Sequence, residues 1–135
     1  MLFRSYPLGL SNFDGVSHFN LPPHETWVSY SETKISTDKT IDCQVRKLST
    51  LMKKFNHEKI DLLKMDIEGS EYEVIDSIIH IPDTVRQFCV EFHHFCTNKT
   101  IEDTKNCILK IKSLGFNNFV EKPSTKELNE LTFWR

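Results

Sequence analysis

Two short stretches of the chain hold the side chains best suited to proton chemistry. Lys64, Asp66 and Glu68 occupy alternate positions of KMDIE, and Glu91 and His93 occupy alternate positions of EFHH. Alternate residues of a strand point to the same side. If both stretches end neighbouring parallel strands, about 4.8 Å apart, then Asp66, Glu68, Glu91 and His93 converge on one small volume. Carboxylates and an imidazole gathered there can take a proton from a substrate hydroxyl or amine. The same groups also suit magnesium, manganese or zinc. Nothing in their spacing is specific to a metal, and no metal is assigned from it. Asp66 stands first, because a carboxylate at the end of a buried strand is costly to desolvate without a task. Glu68 reads equally as a turn residue facing the positive end of a helix. Lys64 reads as a structural partner of a carboxylate.

These side chains need a strand, a tight turn and a helix to place them. Residues 60–67 form a short apolar run that suits a strand buried on both faces. Gly69 lies where that strand must turn sharply. Ser70 and Glu73 have capping-box spacing, and Tyr72, Val74, Ile75, Ile78 and Ile79 make an apolar helical stripe. Residues 85–93 read as the next parallel strand. In open α/β sheets, ligands bind at the carboxyl ends of the strands, and both acidic stretches lie at such ends.

The flanking chain continues the alternation. Residues 6–10 and 16–20 read as strands around an Asp14-Gly15 turn. Residues 21–40 read as a long loop, carrying Pro22-Pro23 and many hydroxyl side chains. Residues 41–46 suit a strand, and Leu48, Leu51, Met52 and Phe55 follow the spacing of a one-faced helix ending near Asn56. Thr100 with Asp103 opens another helix, with Cys107, Ile108, Ile111 and Leu114 as its buried stripe and Gly115 at its end. Residues 116–120 and 131–134 are the last strand candidates. The pattern is that of an α/β domain with a mainly parallel sheet.

The segment KIDLLKMDIEGSEYEVI closely resembles the signature of FkbM-type methyltransferases, which use S-adenosylmethionine on a Rossmann-like sheet. Its Lys-x-Asp-x-Glu-Gly core falls on Lys64, Asp66, Glu68 and Gly69. YPLGLSNFDG, VRKLSTLMKKF, CVEFHHF and ELTFWR resemble further pieces of the family in the family's order. The resemblance implies a Rossmann-like class I methyltransferase sheet, O-methylation of a sugar or small-metabolite hydroxyl, and S-adenosylmethionine as cofactor. It implies Asp66, Glu91 and His93 as catalytic residues, with His93 the candidate base. It implies Asp66, Glu68, Gly69 and Ser29 near the cofactor, and places Asp14 near the adenine rim. Two rivals stand beside it: a non-catalytic remnant serving as an interaction or dimerisation module, and a metal-dependent α/β hydrolase.

One part of the family pattern is missing. The chain has four glycines, Gly9, Gly15, Gly69 and Gly115, and no G-x-G. The glycine-rich turn after the first strand, which admits the methionine part of the cofactor, has no counterpart here. The expected sheet is therefore incomplete, lacking its first two strands. The strand at 60–67 would then have an unpaired edge, open to re-pairing or to a homodimer. The isolated chain is expected to bind S-adenosylmethionine poorly or not at all.

The 135 residues fit one domain, the C-terminal portion of a methyltransferase domain spanning 1–135. A net charge of -2 gives no electrostatic reason to expect nucleic acid as a partner. No apolar run approaches the roughly 20 residues that span a bilayer. The four cysteines lack C-x-x-C spacing and read as reduced thiols. A cytoplasmic protein with a small-molecule or glycan acceptor is the expectation.

Overall fold

The computed structural model describes residues 3–22, 29–32, 39–94, 97–122 and 128–135. Its elements run β1 (Gly9–Leu10), β2 (Gly15–Asn20), β3 (Thr40–Arg46), α1 (Leu48–Phe55), β4 (Leu62–Met65), α2 (Glu71–Ser77), β5 (Gln87–His93), α3 (Ile101–Ser113), β6 (Asn118–Lys122) and β7 (Leu128–Trp134). The alternation expected from the sequence is present. The described strands form two mixed sheets, ordered β1-β3-β2 and β4-β5-β7-β6. Within the larger sheet β4, β5 and β6 share one direction and β7 runs against them, while β1, β2 and β3 form a sheet of their own.

Local connectivity explains the reversal of β7. The parallel pairs are β4 with β5 and β1 with β3, whereas β5–β7, β6–β7 and β2–β3 are antiparallel. The connection from β6 to β7 is too short for a crossover, so those strands can pair only as a hairpin. β7 then lies against β5, with Phe88 opposite Phe133 and Val90 opposite Leu131.

The core sits between the four-stranded sheet and helices α2 and α3. Phe88, Val90 and Phe92 alternate along β5 on its buried face, with Leu131 and Phe133 of β7 and Met65 of β4 beside them. Tyr72, Val74 and Ile75 of α2, and Cys107 and Ile111 of α3, complete it. Edge-on contact between Phe88 and Phe116 and tilted packing of Tyr72 on Phe92 fill the layer, at 6.0 and 5.3 Å between ring centres. The other sheet face mixes Lys64, Thr132 and the Lys122–Glu130 ion pair with the exposed apolar side chains of Leu62, Val120 and Trp134.

β4 departs from the strand buried on both faces. It is four residues long and lies at the end of its sheet, paired with β5 alone among the described strands. Met65 is buried, but Leu62 is 53% exposed, as an outermost strand allows.

Helix ends also divide. Thr100 and Asp103 form the expected capping box of α3. Ser70 and Glu73 do not form one on α2: the Ser70 hydroxyl donates to Glu32 Oε2 at 3.0 Å, and Glu73 pairs with Lys99. Helix α1 is capped from outside, because Asp14 accepts from the Lys47 N–H and the Thr50 hydroxyl, each at 2.8 Å. Cys43, Cys89 and Cys107 are free thiols, and Cys96 lies outside the described residues. Among the described residues, no helix is long and apolar enough to cross a membrane.

Candidate functional site

The chain leaves β4 at Met65 and reaches α2 at Glu71 through five residues. Two of them, Glu68 (φ 54°) and Gly69 (φ 106°), have left-handed backbone. Glycine takes this conformation freely, whereas a glutamate there is strained by about 1–2 kcal/mol. Three contacts hold the strained turn. The Glu71 carboxylate accepts from the Ile67 N–H through Oε1 and the Gly69 N–H through Oε2, each at 3.0 Å. Ser31, in the segment between β2 and β3, donates its hydroxyl to the Glu68 carbonyl at 2.5 Å. The turn aims the Glu68 side chain back toward the end of β5.

His93 receives it. Its Nδ1 lies 2.8 Å from Glu71 Oε1, and its Nε2 lies 3.6 Å from Glu68 Oε2 and 3.7 Å from Asp66 Oδ1. The other Asp66 oxygen pairs with Lys64 Nζ at 3.0 Å. The His93 side chain is 5% exposed and Glu71 is fully buried, while Asp66 and Glu68 open to solvent. One donor atom each from Asp66, Glu68 and His93 lies within 4.8 Å of the others. Burial of His93 opposes its charged form. The hydrogen bond and charge of Glu71, with the charges of Glu68 and Glu91, outweigh that and raise its pKa. The imidazole is thus held where carboxylates favour a proton.

The structure brings Asp66, Glu68 and His93 together and puts Gly69 in the turn that makes this happen. Lys64 pairs with a carboxylate, as expected. Glu91 does not join the cluster: it lies within β5, opposite Glu130. Ser29 is exposed, and the serine that reaches the turn is Ser31. Asp14, placed near an adenine rim by the resemblance, is engaged in capping α1. His94 packs against Tyr72, whose hydroxyl lies 3.2 Å from its Nδ1.

Glu71 is the residue that sequence reasoning missed. It was hidden because the first turn of an amphipathic helix is normally solvated, and periodicity has no way to mark a buried carboxylate there. The signal was its spacing: an acid two residues after Gly69 can reach back to the amides of the turn. Glu32 was missed as well. Its Oε2 accepts from both Ser11 and Ser70 beside a cavity of about 230 Å³. A larger cavity, about 610 Å³, lies between α1 and the far end of α2, lined by Leu48, Met52, Ile78 and Pro82 and by none of the cluster residues.

A mixed α/β chain with an acid–histidine cluster at the carboxyl ends of two parallel strands has the layout of an enzyme domain. The chain belongs to the FkbM methyltransferase family: the family model described as the methyltransferase FkbM domain matches residues 7–117. Among curated proteins, it is 36% identical over 50 residues to the probable methyltransferase-like protein 24 of Rattus norvegicus and to that of Homo sapiens. Those matches cover 36% of this chain and only 14% of each relative. No solved structure matches the chain significantly.

Proposed function

We propose that this chain supplies the acceptor side of an S-adenosylmethionine-dependent O-methyltransferase acting on a hydroxyl of a sugar or small metabolite. The family membership carries the reading, and the cluster of Asp66, Glu68 and His93 gives it a place to act. S-adenosylmethionine, when bound, supplies an electrophilic methyl group. The acceptor hydroxyl must be oriented and must lose its proton. Charge around His93 favours its protonated form, so we assign proton acceptance to Asp66, the most open of the three. His93 then donates a hydrogen bond from Nε2, steadied by Glu71 at Nδ1. Lys64 keeps the Asp66 carboxylate turned toward that nitrogen.

The described residues do not fit the whole cofactor. Glu32, Ser11 and Ser70 offer acceptors and donors suited to ribose hydroxyls, but the small cavity beside them has no glycine-rich turn for the methionine end. We place that turn in polypeptide outside these 135 residues, supplied along the outer edge of β4, which is unpaired among the described strands. A second copy of the chain pairing through this edge could not supply it.

Two measurements test the reading. Protein purified from its native source is expected to transfer label from tritiated S-adenosylmethionine to hydroxyl acceptors. Asp66→Asn is expected to slow transfer about 100-fold. The isolated chain is expected to show no saturable rise in melting temperature with S-adenosylhomocysteine. No transfer by the native-source protein refutes the activity; a saturable rise in the isolated chain refutes the division of the site.

A further inference from the structure

We propose that Asp66, Glu68 and His93 form a binding site for a divalent cation of the manganese type, with Glu71 orienting the histidine. The inference rests on the donor set alone. Nε2 coordinates only as the neutral imidazole, so a bound cation takes the place of the proton assigned to His93 above. Asp66 is then a ligand and not the proton acceptor.

Three features point to a cation rather than to a chance meeting of charges. The first is spacing. Metal–ligand bonds of about 2.1 Å put neighbouring ligand atoms about 3.0–3.4 Å apart. The Nε2–Oε2 and Nε2–Oδ1 separations are 3.6 and 3.7 Å, and all three donor atoms lie within 4.8 Å of one another. A contraction of a few tenths of an ångström at Nε2, with a rotation of two open carboxylates, completes one face of a coordination shell.

The second is the support behind each ligand. Metal-binding histidines almost always donate their other ring N–H to a carboxylate, a carbonyl or water. His93 Nδ1 faces Glu71 at 2.8 Å, and this glutamate is itself fixed by two backbone N–H groups. Asp66 is turned by Lys64 through its far oxygen, leaving Oδ1 toward His93. Glu68 is held by its left-handed backbone and by Ser31 at its carbonyl. A strained residue held from both sides so that its carboxylate meets a buried imidazole is placed for a ligand.

The third is charge and access. Two carboxylates balance a dication, and the imidazole shifts preference from magnesium or calcium toward manganese or zinc. His93 is buried, but Asp66 and Glu68 are 37% and 25% exposed, which opens a path to solvent and leaves coordination positions for water or acceptor oxygens. Glu91 is not needed, so the site has three protein ligands.

Titration of the chain with Mn2+, read by loss of the free-ion signal in electron paramagnetic resonance, tests this directly. One equivalent is expected to bind saturably, to raise the melting temperature, and to be removed by EDTA. Asp66→Asn and Glu68→Gln should each weaken binding at least tenfold. Glu71→Gln, which touches no metal, should weaken it 10–100-fold. Cooperative melting of each variant without metal establishes that it is folded. The site is refuted if folded wild-type chain binds no Mn2+ saturably, or if Asp66→Asn and Glu68→Gln both bind as the wild type does. A chain that binds Mn2+ but whose native-source protein transfers no methyl group upholds the cation site and refutes only the proposed activity.

Discussion

Glu71 Oε1 stands 2.8 Å from His93 Nδ1, and both side chains are buried. The same carboxylate accepts from the N–H groups of Ile67 and Gly69. One side chain thereby ties the end of β5 to the turn after β4 and to the first residue of α2. Whatever the cluster does, its geometry depends on this residue.

Removing Glu71 should therefore be severe. Glu71→Ala leaves two backbone donors and a buried imidazole without their acceptor. Breaking such a buried arrangement from one side costs about 3–5 kcal/mol. Urea unfolding of Glu71→Ala is expected to show a loss of that size. Glu71→Gln keeps the shape and one acceptor, and should lose about half as much. An alanine variant within 1 kcal/mol of wild type would mean that the carboxylate is not the tie described.

At Glu68, stability and function should part. Its φ of 54° suits glycine and not a side chain, least of all a branched one. Glu68→Gly is expected to be as stable as wild type or up to about 1 kcal/mol more stable. Glu68→Val should be destabilised by about 2 kcal/mol. Neither should bind Mn2+ as wild type does. If valine is tolerated as well as glycine in thermal and urea unfolding, the turn does not hold this conformation.

Arg135 anchors the opposite end of the sheet. Its guanidinium lies 4.4 Å from the centre of the Phe116 ring, donates to the Leu114 carbonyl at 3.0 Å and pairs with Asp83. It thus closes the C-terminal end of α3, where carbonyls lack partners within the helix. A planar fork that stacks and donates in several directions is not replaced by an ammonium. Arg135→Ala is expected to lower stability by about 2 kcal/mol, and Arg135→Lys should recover less than half. Full recovery by lysine would reduce the interaction to simple charge.

Much of this was legible in the sequence, for reasons that differ by element. The helix at Leu48–Phe55 and the box at Thr100 follow local rules, spacing and capping, which act over four residues. The meeting of Asp66, Glu68 and His93 was legible because it needs only two parallel strands with acidic ends. The sheet order was not, because the antiparallel pairing of β7 with β5 is set by long-range packing of Phe88 on Phe133. Glu91 was expected in the cluster from strand alternation and from the family resemblance. The chain turns beyond Met65, and the left-handed step at Glu68 delivers that carboxylate to His93. Glu71 was hidden from helical periodicity, which expects a solvated acid in the first turn; only its spacing from Gly69 hinted that it reaches back to the amides of the turn.

The acid limb of stability should belong to two capping aspartates. Asp103 has its pKa lowered by the hydroxyl of Thr100 and by that residue's N–H, and Asp14 by the N–H of Lys47 and the hydroxyl of Thr50. A carboxyl whose folded pKa lies below its unfolded value stabilises the fold above that unfolded value, about 3.8 to 3.9. The contribution fades as the pH falls through the folded pKa, when both states hold the proton. Urea unfolding between pH 2 and pH 7 should therefore show Asp103→Asn and Asp14→Asn less stable than wild type above about pH 4, with the gap narrowing below it. Thr100→Val removes the hydroxyl that lowers the Asp103 pKa, and should lose about 1 kcal/mol near neutrality and flatten the same acid limb. A gap between wild type and Asp103→Asn that stays constant to pH 2 would show that the carboxyl acts through shape and not through charge.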